Sequence, residues 1–144
     1  MGKKSVQRRS HGLYGEVYTD ASRQKGRVGI AGVLYNVNTG ETVDYFAEEV
    51  SGDKTVPEAE YMAAIRGLLL AEKHSYKIIH LMIDSELVAN QFNKVYTCNA
   101  KNLKPFLAQM RAIAKRLLRV EVSWIPREEN FEADALAKGV TDVK

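Results

Sequence analysis

Four carboxylates stand where the local pattern of the sequence changes. Asp20 follows the alternating segment LYGEVYT, and Asp84 follows the apolar run IIHLMI. Glu60 lies in the first turn of a segment with helical periodicity, and Asp134 lies in the first turn or so of another. If the strands ending at Asp20 and Asp84 are adjacent and parallel, both acids emerge at one sheet edge. Helices starting near that edge then bring Glu60 and Asp134 to it. Four carboxylates so gathered repel one another strongly unless cations neutralise them. Oxygen ligands with no cysteine or histidine nearby select hard ions, magnesium or manganese. Two such ions, roughly 3.5–4 Å apart, activate water and stabilise a leaving oxygen in phosphodiester cleavage. Singly, each acid has a plainer role as a turn, cap or helix-dipole residue. The joint pattern is what points to chemistry.

The elements that must position these acids can be read from the periodicity. Residues 13–19, 28–37 and 42–50 are rich in β-branched and aromatic side chains, and Asn38, Thr39 and Gly40 supply a turn between the second and third. This predicts three strands in hairpin succession. From Glu58 to His74 the period changes, with Met62, Ile65 and Leu69 on one helical face and Pro57 at or just before the first turn. The run 78–83 reads as a central strand covered on both faces. Asp84-Ser85 can cap a helix holding Leu87, Val88 and Phe92. A helix over about 102–119 carries Leu103, Phe106, Leu107, Met110, Ile113, Ala114 and Leu117 in one stripe, with Lys104, Arg111 and Lys115 on the opposite side. Residues 120–125 form a fifth strand, and Asn130 can cap a last helix ending near Gly139. The order βββαβααβα predicts an α/β fold, a mixed sheet with helices on both faces.

The chain of 144 residues suits one domain. Residues 13–144 are expected to form it, with residues 1–12 a flexible basic tail. Hydrophobic residues make up 45 %, which argues against general disorder. No apolar stretch approaches the ~20 residues needed to span a bilayer. Cys98 is the only cysteine, which excludes a disulfide framework within one chain and favours an intracellular, cytoplasmic location. Lys3, Lys4, Arg8 and Arg9 carry +4 of a net charge of +3, which leaves −1 for the rest. Within 101–119 stand Lys101, Lys104, Arg111, Lys115, Arg116 and Arg119 with no acid, so the remaining body carries −7. A basic segment beside an acidic body suggests a polyanion held next to a cation-requiring carboxylate site.

The segments YTDAS (18–22), EAEYMAAIRGL (58–68), MIDSELVANQF (82–92) and IPREENFEADALA (125–137) resemble, in order, spacing and flanks, the four acidic motifs of type 1 ribonucleases H. The resemblance extends over about residues 14–139. It implies a five-stranded mixed sheet of order 3-2-1-4-5 with flanking helices. It also implies an endonuclease that hydrolyses the RNA strand of RNA/DNA hybrids, leaving 5′-phosphate and 3′-hydroxyl ends. The cofactor implied is two Mg2+ ions, with Mn2+ a substitute. Their ligands would be Asp20 and Asp84 for both ions, Glu60 for one and Asp134 for the other. Lys101, Lys104 and Arg23 are candidate phosphate contacts, and Ala21, Ser22, Ser85 and Asn130 are further candidate substrate contacts beside the acids. The family prior favours a monomer.

Three positions depart from the family pattern. Pro57 stands where many members carry an asparagine that reads a ribose 2′-hydroxyl. Trp124 stands where a mobile histidine often assists turnover. Ala21 replaces a common glycine, which requires an ordinary backbone there. Only residues 95–101 join the two central helices, so the basic protrusion of some members has no room, as in archaeal, some bacterial and retroelement forms. His80 reads as a satisfied core histidine, His74 as a helix-end residue favoured by the dipole, and Cys98 as a loop residue without catalytic surroundings. Trp124 reads as packing at a strand end. Two other readings compete: a binding domain of the same fold with weak or no activity, and a resolvase- or integrase-like nuclease, which the flanks of the second and fourth motifs fit poorly.

Overall fold

The computed structural model describes residues 14–142, so the segment 1–12 read as a tail lies outside the described residues. Alternating β-branched and aromatic residues form β1 (Tyr14–Gln24), β2 (Arg27–Asn36) and β3 (Thr42–Val50), an antiparallel meander. The chain then forms α1 (Val56–Lys73), β4 (Ile78–Ile83), α2 (Glu86–Phe92) and α3 (Lys104–Arg116). It closes with β5 (Arg119–Trp124), a 3-10 turn (Arg127–Glu129) and α4 (Phe131–Thr141). The sheet order is β3-β2-β1-β4-β5, with β4 parallel to both β1 and β5. The expected α/β architecture and strand order are both found.

Side-chain alternation along β1 assigns the two faces of the sheet. A Cβ at Gly67 of α1 would meet Val17 and Thr19, whereas the Ser22 hydroxyl meets that of Thr141 in α4 at 3.0 Å. Odd positions of β1 therefore face α1, and even positions, Asp20 among them, face the side of α4. The core between α1 and the sheet is built from Val17, Leu34, Leu68, Leu81 and Ile83, all essentially inaccessible to solvent. Thr55 and Glu58 fix where α1 begins through a reciprocal capping box. The Glu58 amide donates to Thr55 Oγ1 at 3.2 Å, and the Thr55 amide donates to Glu58 Oε1 at 2.8 Å.

Two boundaries differ from the sequence reading. β1 does not stop before Asp20 but runs to Gln24, because β2 continues to pair with it after β4 has ended. Its hairpin turns on Lys25 and Gly26, both at positive φ (53° and 77°), the signature of a tight two-residue turn. The helix expected over 102–119 is shorter. Pro105 sits in its first turn, and Leu117 is already extended, which frees Arg119 to open β5. Glu60 falls one residue past the first turn of α1, since that helix begins at Val56.

Gly67 tests how tightly α1 rests on the sheet. A Cβ there would lie 2.6 Å from Thr19 Cγ2 and 2.8 Å from Val17 Cγ1. Overpacking costs about 1–3 kcal/mol, and it outweighs the roughly 1 kcal/mol gained in helix propensity. Gly67→Ala is expected to lower the urea midpoint by the equivalent of about 1 kcal/mol; an unchanged or higher midpoint would show that the interface yields.

Candidate active site

The site exists because β4 is shorter than β1. The last pair between them is Thr19 with Ile83. Asp20 is thus the first residue of β1 without a β4 partner, and Asp84 leaves β4 at the same level. Beyond that step α1 can reach across, and Glu60 does. One carboxylate oxygen from each of Asp20, Glu60 and Asp84 lies within 4.8 Å of the others. Asp20 is 2 % exposed and Glu60 8 %, whereas Asp84 is only half-buried.

Asp84 is held from two directions. The Asn130 amide Nδ2 donates to Asp84 Oδ2 at 3.0 Å and to the Thr19 carbonyl at 2.8 Å. The indole N–H of Trp124 donates to the Asp84 carbonyl at 3.2 Å. Asn130 occupies the cap position of α4, as expected, but its side chain makes no cap bond, because it is drawn into the sheet edge. Trp124 is half exposed, so the strand-end packing read for it is replaced by a hydrogen bond to a site residue.

The fourth acid stands slightly apart. Asp134 is not one of the three converging residues; it pairs with Lys138 at 3.1 Å while lying within hydrogen-bonding reach of Asp20. Burial pushes the Asp20 carboxyl up to about 7, helped by the Asp84 charge and the Asp134 hydrogen bond. Burial also raises Glu60 well above the usual range, with the charges of Asp20 and Asp84 adding to it. Glu60 Oε1 is buried with no hydrogen-bond partner. An orphaned carboxylate oxygen among repelling acids, with no histidine or cysteine ligand beside them among the described residues, fits a hard divalent cation.

The remaining sequence-read candidates are scattered around this centre. Ser85 caps α2 through the Val88 amide at 3.3 Å, and Ser22 bonds Thr141. Arg23 pairs with Asp53 at 3.1 Å on the surface. Ala21 packs against the core with ordinary backbone angles. Lys101 and Lys104 are exposed where the chain enters α3. His80 is half-buried and bonds the Ser123 hydroxyl at 2.8 Å. His74 does end its helix, but it also bonds Asp44 at 2.7 Å, a partner invisible to a helix-end reading. Sequence reasoning missed the roles of Asn130 and Trp124 toward Asp84. The only signal for them is their place between β5 and the fourth acidic segment.

The sequence profile of the family described as reverse transcriptase-like matches residues 18–140. A bifunctional protein of Mycobacterium tuberculosis is 31 % identical over 120 residues, amounting to 82 % of this chain and 33 % of that protein. The chain thus spans about a third of the length of the mycobacterial relatives it matches. The N-terminal ribonuclease H domain of that protein, solved as a fusion with maltose-binding protein, is similar with a TM-score of 0.85 and 25 % identity, covering 90 % of this chain and 94 % of that one. Ribonuclease H1 of the halophilic archaeon Halobacterium salinarum gives 0.84 and 26 % identity, with 90 % and 98 % covered. The compost-derived LC11 ribonuclease H1, solved in complex with an RNA/DNA hybrid, gives 0.81 and 27 %, with 89 % and 96 % covered.

The raised Asp20 carboxyl has a consequence for stability without cation. Its folded value, about 7, lies above the ordinary aspartate value of 3.8. Between those values the folded chain binds more protons than the unfolded one, so stability is full below the ordinary range and falls as pH rises through about 7. In EDTA the Tm is expected to drop from pH 5 to pH 8. Asp20→Asn should flatten that drop, and Mg2+ should reverse it at pH 8. A wild-type Tm that holds or rises over this range in EDTA would contradict the shift.

Proposed function

The chain belongs to the reverse transcriptase-like family and has the ribonuclease H fold, and on that premise we propose that it cuts the RNA strand of RNA/DNA hybrids. The observation that carries this reading is the convergence of Asp20, Glu60 and Asp84 around an unpartnered buried oxygen. Two divalent cations, Mg2+ or Mn2+, would be held by Asp20, Glu60 and Asp84, with Asp134 beside them. When bound they supply charge neutralisation, activation of water and stabilisation of the leaving oxygen. The products are 5′-phosphate and 3′-hydroxyl ends.

The chain's own residues set the geometry for that chemistry. Asn130 and Trp124 orient Asp84 through its side chain and main chain, respectively, and such outer partners commonly govern metal affinity. The capping box fixes the start of α1 and with it the height of Glu60. Selection of a hybrid rests on its minor groove, where ribose 2′-hydroxyls on one strand face deoxyribose on the other. Ala21, Ser22, Ser85 and Asn130, which stand close to the acids in the chain, would line that groove. Lys101 and Lys104 would meet phosphates, which positions the duplex without reading sequence. Arg23 can join them at little cost, because an exposed pair such as Arg23–Asp53 contributes about 0–1 kcal/mol. Pro57 offers no side-chain amide for a 2′-hydroxyl, so hybrid recognition relies more on backbone groups.

Cleavage of an end-labelled RNA/DNA hybrid in Mg2+ or Mn2+, with RNA and DNA duplexes as controls, tests the proposal. Cutting confined to the hybrid and abolished by Asp84→Asn is expected. Binding of hybrid without cutting in either metal would replace the enzyme by a binding domain. Trp124 generates a second expectation, because an indole tied to the Asp84 carbonyl cannot relay a proton as a mobile imidazole can. The steady-state rate should lie below the single-turnover rate constant, with product release limiting; equal values would count against this role.

A further inference from the structure

α4 covers only part of its face of the sheet. Its cap residue Asn130 donates to the Thr19 carbonyl at 2.8 Å, and the helix runs from there toward Ser22, which meets Thr141. The earlier even positions of β1, Glu16 and Tyr18, lie before the level at which the helix starts. A cleft of about 310 Å3 opens there, built from Glu16, Tyr18, Tyr35, Glu129, Phe131 and Glu132 among others. Tyr18 and Tyr35 meet edge to face with ring centroids 5.7 Å apart, and Phe131 is 72 % exposed. The cleft is thus an aromatic corner open to solvent.

Three carboxylates line this corner, and no lysine or arginine does. Glu48, Glu49, Glu72 and Glu121 are each paired with an arginine, whereas Glu16, Glu129 and Glu132 make no ion pair among the described residues. Burial raises the Tyr18 hydroxyl, and the charges of Glu16 and Glu129 add to it. A strand acid and a turn acid therefore act on one point of the cleft. Asn130 lines it too and is 1 % exposed. Its Nδ2 is taken up by Thr19 and Asp84, and the other branch of the amide, Oδ1, is buried without a hydrogen-bond partner. A buried acceptor left unpaired is costly, so the wall of the cleft lacks a donor as well as a positive charge.

We propose that this cleft docks an arginine-bearing basic segment of a partner protein. Charge complementarity selects a cation and turns a nucleic acid away. A metal ion is a poor match, because Glu16, Glu129 and Glu132 do not form a cluster of converging ligand oxygens like that of Asp20, Glu60 and Asp84. A guanidinium stacks flat on an aromatic ring, brings five donors in a fixed fork and keeps its charge at every physiological pH. Acids spread from β1 to the first turn of α4 suit a segment that carries more than one such side chain. Asn130 belongs both to the cleft wall and to the clamp on Asp84, so the docked partner adjoins the carboxylate centre.

The test titrates a short labelled peptide of alternating arginine and serine into the full chain, with a lysine–serine peptide for comparison. The ring signals of Tyr18 and Tyr35 in NMR spectra should shift as the arginine peptide is added, a readout that needs no variant. Glu129→Gln with Glu132→Gln, both at exposed positions, should weaken that peptide on the order of tenfold at low salt and much less at high salt. Phe131→Ala should weaken it by roughly threefold through loss of a ring face. The lysine peptide should bind more weakly than the arginine peptide. Equal affinity for the two would overturn the guanidinium assignment. Unchanged affinity in the double variant, or Tyr18 and Tyr35 signals that stay fixed while those around Asp84 move, would overturn the cleft as the site. Tighter peptide binding after Arg8→Gln with Arg9→Gln would give the cleft to the chain's own basic residues and overturn the partner.

Discussion

The repulsion among Asp20, Glu60 and Asp84 is the constraint around which the domain is arranged. Buried carboxylates at such separations are held together only by a scaffold that cannot relax. The scaffold is the step in the sheet where β4 ends at Ile83 and β1 continues, locked on one side by α1 and on the other by Asn130. The orphaned Glu60 oxygen and the raised carboxyls are the two faces of this arrangement. The fold stores unfavourable electrostatics that a bound cation would relieve, which would couple metal binding to stability.

The charge on the surface extends this logic. A cleft of about 310 Å3 beside the site is lined by Glu16, Glu129 and Glu132 with Tyr18, Tyr35 and Phe131, and no cation lines it. A groove between α2 and α3, by contrast, is lined by Lys94, Lys104 and Arg111 and by no acid. A polyanion would be repelled by the first and attracted to the second. Such a charge distribution would orient a polyanion with few specific contacts.

Much of this was legible in the sequence, because period and punctuation are strong signals here. Alternation in 13–19, 28–37 and 42–50 marked the meander, and the apolar run 78–83 marked the buried strand. The polar segment ASRQKGR concealed the outer half of β1, since that half is paired on one side only and its side chains are solvated. Asn130 showed as a cap because asparagine is among the residues preferred just before a helix. Only the third dimension reveals Thr19 and Asp84 within its reach. Arg111 was set opposite the apolar stripe because helical periodicity reports angle, whereas the distance to the end of α2 decides its partners. The three acids that converge were all named in advance, and the pairing of Asp134 with Lys138, four residues apart on one helix, was within reach of the same spacing but was not drawn from it.

The Asn130–Thr19 bond joins positions 111 apart in the chain. Parallel pairing of β1 with β4 is itself non-local, and such contacts form late because loop closure precedes their reward. During synthesis the chain emerges from its N-terminus, so the strand bearing Asp20 waits for nearly the whole domain before Asp84 can be pinned. A nascent chain that ends before residue 130 has the acids of the first three motifs but no clamp to hold them. The carboxylate centre is therefore assembled as one of the last events of folding, which ties its completion to that of the domain.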